Sequence, residues 1–212
     1  ESIEDTAKTL SRYTNCIMAR VYDHELLEKL SEHSSVPVIN GLSDTFHPCQ
    51  ILADFMTIKE KKKKLKGLKI AWIGDGNNVC NSMIYGSALS GVNISIATPK
   101  GFEPNKTVVK EAKKSTTVEL TTDPFVAVKN ADVIVSDTFS SIHNLDKKRL
   151  KKFLPKYQVN SKLMSAAKKD AIFMHCLPAK RGEEVTSDVI DGVQSVVWDE
   201  AENRLHTQKA LL

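Results

Sequence analysis

The stretch Leu68–Thr98, "LKIAWIGDGNNVCNSMIYGSALSGVNISIAT", decides the fold. It opens on a short β-branched run, "KIAWIG", and passes through a turn rich in Gly, Asp and Asn. A helical stretch, "NVCNSMIYGSALSG", then leads to a second apolar run, "NISIAT". Strand, helix and strand in about 30 residues make a βαβ unit, whose two strands lie parallel. The same grammar continues downstream in "NKTVVKEAKK", "TVELT", "DPFVAVKN", "DVIVSD" and "AIFMHC", with "SVVWD" as a further expected strand. Repeated units of this kind predict an α/β fold with a mostly parallel sheet and helices on both faces.

Upstream of Leu68 a shorter series follows the same pattern. A helix over Ser2 to Thr14, a strand "CIMAR", a helix over His24 to His33 and a strand "VPVIN" predict part of a second α/β unit. A long helix beginning at His47-Pro48 joins the two, with Pro48 at the first helical position, where a missing N–H costs nothing. Unpaired N–H groups and the positive end of the helix dipole make the stretch before it suited to an anion. The opening residues already read as helix, so the chain is expected to begin inside a domain.

Composition narrows the function classes. At 212 residues, 41% hydrophobic and 26% charged, the chain is of ordinary globular type and long enough for one large domain or somewhat more. No apolar run approaches the roughly 18 residues of a membrane helix, so no membrane span is expected. Cys16, Cys49, Cys80 and Cys176 are far apart, with no CxxC pair, which points to reduced thiols in a cytosol-like compartment. The net charge of +4 is concentrated in "KEKKKKLK" and "DKKRLKKFLPK". These read as solvated helix faces, without the interleaved aromatics of a single-strand binder, so no nucleic acid is expected as a partner. An anionic small substrate accounts for the balance equally well.

The chemistry-bearing residues fall where strands end or helices begin, the ligand-binding edge of open α/β sheets. Arg20 ends "CIMAR"; His47 and Gln50 follow "VPVIN"; "DGNN" follows "KIAWIG"; Asp137 ends "DVIVSD"; His175 and Cys176 end "AIFMHC". Each has a plainer explanation taken singly: a surface arginine, a helix cap at His47 or Asp137, a tight turn at Gly74–Asn78, a buried small hydrophobe at Cys176. "GDGNN" lacks the spacing of a dinucleotide loop, so no cofactor is expected. Adjacent His175 and Cys176 would point to opposite faces of a strand, so no metal is expected either. A cysteine hydrolase with His47 approaching Cys176 stays open.

Together, "HPCQILAD", "WIGDGNNVCNS", "ATPKGFEP", "DVIVSDTFSS", "FMHCLPA" and "DEAENRLHTQKALL" resemble the ordered motifs of the ornithine carbamoyltransferases, over essentially the whole chain. "HCLP" discriminates best, because aspartate-using relatives carry another proline-containing loop there. The resemblance implies two doubly wound parallel-sheet domains. Residues 1–67 would be the later part of a carbamoyl phosphate domain, only partly present; 68–199 an ornithine domain; 200–212 a helix returning to the first. It implies transfer of a carbamoyl group from carbamoyl phosphate to the δ-amine of L-ornithine, in a homotrimer, cytoplasmic or in the mitochondrial matrix of a eukaryote.

By that likeness Arg20 and His47 act at the carbonyl oxygen of carbamoyl phosphate, and Gln50, Cys176, Leu177 and Arg204 complete its site. Asn78, Asp137, Ser141, Ile142, Cys176 and Leu177 hold ornithine, with the thiol and the Leu177 carbonyl at the δ-amine. Arg20, His47 and Cys176 are the expected catalytic residues. Phe139 stands where the family has tryptophan, and Ser141-Ile142-His143 where it has Ser-Met-Gly. The family's Ser-x-Arg-Thr-Arg phosphate loop is not in these 212 residues, so the chain alone is expected to be inactive. A transcarbamylase for another amine and a non-catalytic paralogue are the competing expectations.

Overall fold

The computed structural model describes residues 2–139 and 147–212. In chain order the elements are α1 (Ile3–Leu10), β1 (Ile17–Arg20), α2 (His24–His33), β2 (Val38–Leu42), α3 (Pro48–Lys62), β3 (Lys69–Ile73), α4 (Asn78–Ser90), β4 (Asn93–Ala97) and α5 (Lys106–Ala112). There follow β5 (Val118–Thr121), α6 (Pro124–Val128), β6 (Val133–Ser136), α7 (Lys147–Phe153), α8 (Ser161–Ser165), β7 (Ile172–His175), α9 (Ser187–Ile190) and α10 (Val197–Leu211). β1 and β2 pair in parallel, and the other five strands form a parallel sheet in the order β5-β4-β3-β6-β7.

The larger sheet is apolar on both faces, as a parallel sheet covered by helices must be. Side chains alternate along β3: Ile70 and Trp72 pack with Met83, Ile84, Ile94 and Ile96, while Ala71 and Ile73 pack on the opposite side with Phe139, Phe153 and Phe173. On the first side α4 lies close to α3 because Gly86 has no side chain; a Cβ there would come within 2.7 Å of both Ile51 and Phe55. At the end of β3 the chain needs Gly74, with φ of +134°, to turn past the ring of Phe139.

The βαβ series predicted from Leu68 is present, with one correction. "SVVWD" is not a strand: Ser195 makes only an isolated bridge to Phe173, and Val197 already begins α10. Asp199 in the first turn suits the positive end of a helix dipole, and packing of α10 on α3 settles the β-branched pair before it as the start of a helix. α10 runs back along α3, joined to it by Asn203 donating to Thr57 Oγ1 at 2.9 Å and to Glu60 Oε2 at 2.8 Å.

The strand order fixes where a ligand fits. From β3 the chain winds outward through β4 and β5, then crosses back to β6 and β7 on the other side of β3. The ends of β3 and β6 are therefore the switch point, where the loops part and leave a crevice.

Candidate active site

Register brings the two key strand ends together. Ser136 of β6 lies opposite His175 of β7, so the next residues, Asp137 and Cys176, emerge side by side. The Cys176 thiol donates to Asp137 Oδ1 at 3.2 Å. Asn77, the N-cap of α4, donates from Nδ2 to Asp137 Oδ2 at 2.7 Å, while its own Oδ1 accepts from Cys80 N. Thr138 N closes the set on Oδ1 at 2.7 Å. Asp137 is thus a buried carboxylate with every bond pointing it into the crevice. Burial and the charge of Asp137 push the Cys176 thiol well above its ordinary range, so it stays protonated and is a poor nucleophile. The thiol also bonds to Asp137 and not to His47, so the described residues offer no thiol–imidazole pair for a cysteine hydrolase.

After Cys176 the backbone reverses. Leu177 takes φ of +56° and its N–H donates to His175 Nδ1 at 2.9 Å. This left-handed step is costly for a branched side chain and is held by His175, itself buried with Nε2 3.3 Å from Glu184 Oε1. Contrary to the opposite-face expectation, Asp137, His175 and Cys176 each bring a potential ligand atom within 4.8 Å of the others, because the strand ends at His175 and the pleat stops. His175 Nδ1 is committed to the turn, while its buried Nε2 lies 3.3 Å from Glu184 Oε1 without a hydrogen-bond partner among the described residues.

The other wall is the start of α3. His47 occupies the N-cap position, yet its side chain makes no cap bond, and its buried Nδ1 has no partner among the described residues. Its backbone N–H donates to Ser82 Oγ at 2.8 Å, which fixes the ring's origin. Burial, with Arg204 and Arg20 nearby, lowers its pKa to about 4, and Asp137 opposes them weakly. His47 is therefore a neutral donor at physiological pH, close enough to feel Arg20, Arg204 and Asp137. Arg20 lies at the exposed end of β1. Gln50, one turn into α3, accepts on Oε1 from Arg204 of α10. The buried Nε of Arg204 lacks a partner among the described residues. A buried guanidinium N–H and an imidazole nitrogen left open in this way are groups that an anion can complete.

The structure therefore gathers Arg20, His47, Gln50, Asp137, Cys176, Leu177 and Arg204 around one crevice. Asn78 sits at its edge, donating to Ser43 O at 2.6 Å. Ser141 and Ile142 lie outside the described residues. Phe139 is fully buried, stacked on Phe153 at 4.7 Å, and its carbonyl accepts from Arg149 Nε at 2.8 Å. Sequence reading named Asn77 only within "DGNN" and missed Ser82, Asp54 and Glu200. The signal for the last two was helical spacing: Asp54 is four residues after Gln50, and Glu200 four before Arg204, so each shares a face with a site residue.

Residues 1–60 match the family model for the carbamoyl-P binding domain of aspartate/ornithine carbamoyltransferases, and residues 66–212 match the model for their Asp/Orn binding domain. The chain belongs to the aspartate/ornithine carbamoyltransferase family. The ornithine carbamoyltransferase of Cenarchaeum symbiosum is 65% identical over all of this chain and 70% of its own length, and that of Methanocaldococcus jannaschii 57% over all of this chain and 72% of its own. Among solved structures, the ornithine carbamoyltransferase from Pyrococcus furiosus superposes with a TM-score of 0.95 at 53% identity, and the one from Thermus thermophilus with 0.92 at 44%. Both cover the whole chain, and 69% and 70% of their own chains. The start of α3 lies within the match to the carbamoyl-P binding domain, and the β6–β7 corner and α10 lie within the match to the Asp/Orn binding domain.

Proposed function

We propose that the protein transfers the carbamoyl group of carbamoyl phosphate to the δ-amine of L-ornithine, giving L-citrulline and phosphate. The observation that carries it is the Asp137–Cys176 corner close to His47 and Arg204, each of which has a buried nitrogen without a partner among the described residues. A buried carboxylate suits an α-ammonium, and the opposing donors suit an anion with a carbonyl.

In this reading Asp137 takes the α-ammonium of ornithine, with Asn78, Ser141 and Ile142 at its amino-acid end. Cys176 and the Leu177 carbonyl meet the δ-amine, which must be neutral to attack. As the N–C bond forms, the carbonyl oxygen gains charge, and Arg20 and neutral His47 donate to it. Preorganised donors of this kind contribute about 3–4 kcal/mol each. The C–O bond to phosphate then breaks, and the surplus amine proton leaves with phosphate. Gln50 and Arg204 hold the carbamoyl phosphate.

Relatives named as anabolic, among them that of Pyrococcus furiosus, support a place in arginine biosynthesis. A homotrimer is part of the proposal on family likeness, and sedimentation tests it. The cytoplasm, or the mitochondrial matrix in a eukaryote, is proposed as the compartment, in keeping with four free cysteines. No helix among the described residues is long and apolar enough to cross a membrane. The deciding experiment measures, with the full-length protein, carbamoylated product from ornithine, putrescine and aspartate at saturating carbamoyl phosphate. Citrulline alone supports the reading; a preference for another amine, or no product from any, refutes it.

A further inference from the structure

Below the anion side of the crevice lies a pair of carboxyls that the transfer chemistry does not use. Asp54 on α3 and Glu200 on α10 are each 1% exposed. Gln50 Nε2 donates to both, at 2.8 Å to Asp54 Oδ1 and 3.2 Å to Glu200 Oε1, while Gln50 Oε1 accepts from Arg204. The other Glu200 oxygen accepts from His175 N at 2.9 Å, at the foot of the Cys176 turn. One amide thus joins two buried carboxyls on one side to a guanidinium on the other.

Two carboxyls this close and this dry cannot both be ionised. Burial raises both, Glu200 far above the carboxylate range with the charge of Asp54 adding to it and Asp54 to about 7, so the pair as a unit keeps one proton and exchanges the second near neutrality. The groups facing them are few. Arg204 on α10 lowers Asp54, Asp137 beyond β6 raises it, and the Cys176 thiol beyond β7 feels both carboxyls. His47 at the head of α3 changes charge near pH 4 and the thiol well above 9, so neither titrates close to neutrality. At neutral pH the pair carries up to one negative charge, balanced by Arg204 through Gln50.

We propose that the Asp54–Glu200 pair is a proton-accepting counter-charge to Arg204, which takes up a proton from water as carbamoyl phosphate binds and returns it as phosphate leaves. Entry of the anion draws Arg204 away from the pair and sets new negative charge beside it, and both effects favour the protonated pair. This rests on Gln50 and Arg204 holding carbamoyl phosphate. By linkage, affinity for carbamoyl phosphate falls as pH rises through neutrality, with a limit of about tenfold per pH unit for one coupled proton.

Titration calorimetry of the full-length protein with carbamoyl phosphate, in buffers of different ionisation heat between about pH 6 and 8.5, reads both quantities. Asp54→Asn, which keeps an acceptor for Gln50, leaves one carboxyl where there were two, and comparison with it cancels the ligand's own ionisation. The wild type is expected to take up more protons than the variant near pH 7.5, and to lose roughly 3- to 10-fold more affinity across the range. The variant should bind at least as tightly as the wild type at pH 8.5. Equal uptake by wild type and Asp54→Asn, or weaker binding by Asp54→Asn at high pH, overturns the proposal. If Asp54→Asn does not fold, wild-type uptake no greater than the ligand's own ionisation overturns it equally. A wild type that binds carbamoyl phosphate with no excess uptake sinks the pair alone; one that does not bind it at all sinks the site reading and the pair together.

Discussion

Replacing Asp137 by asparagine tests the amino-acid side of the site at one atom. The carboxylate accepts from Asn77 Nδ2, Thr138 N and the Cys176 thiol, so its position is set before any ligand arrives. Losing one partner of a desolvated charge pair costs about 2–5 kcal/mol. Because three protein donors already share this charge, the lower part of that range applies, about 2–3 kcal/mol, or roughly 30- to 150-fold in the KM for ornithine. The variant also has a structural cost. Its new NH2 group would face Asn77 Nδ2, and Asn77 cannot turn over without giving up the cap on Cys80 N at 3.0 Å. One donor-to-donor conflict is worth about 1 kcal/mol of stability, visible as a lowered Tm. To separate the two effects, citrulline formation is compared with carbamoylation of 5-aminopentanoate, which has the δ-amine and the carboxylate but no α-ammonium. Asp137→Asn should lose its 30- to 150-fold on ornithine and only a few-fold on the analogue, with the KM for carbamoyl phosphate nearly unchanged. Equal losses on both amines would make Asp137 a structural residue and refute its pairing with the ammonium.

Arg20→Ala or His47→Ala is expected to lower kcat by about 10²- to 10³-fold with ornithine affinity nearly intact, since their donors matter most once the carbonyl oxygen carries charge; steady-state kinetics showing a rise in KM alone would refute that role. Cys176→Ser should keep the fold, as judged by an unchanged melting profile, and weaken ornithine use, whereas wild-type kinetics would return the thiol to packing. His47 also leaves a mark on stability. Its folded-state pKa of about 4 lies below the ordinary imidazole value, so its contribution is fully present above about pH 6.5 and is lost as pH falls through 4, an effect of roughly 2–3 kcal/mol. His47→Gln should therefore flatten the Tm-against-pH curve on its acid side, and an unaltered slope would contradict the burial of a neutral ring.

The strands and most helices of this protein are local facts. β-branched runs alternate with helical ones, and Pro48 and Gly91 stand at the start and end of their helices, so β1 to β7 and α3 and α4 could be read directly. "SVVWD" could not, because two β-branched residues beside an acidic turn fit either state until α10 packs on α3. Arg20, His47, Asp137 and Cys176 were visible as residues at element ends, and their motifs carried the resemblance. What sequence left open was their company. Asp137 and Cys176 are 39 positions apart and meet only because parallel register sets Ser136 against His175. Gln50 and Arg204 are 154 apart and meet because α10 folds back along α3. Whether His47 is charged, whether the thiol reacts and whether the carboxyl pair keeps a proton depend on exclusion of water and on nearby charges. Those are properties of the packed interior, and spacing along a chain does not contain them.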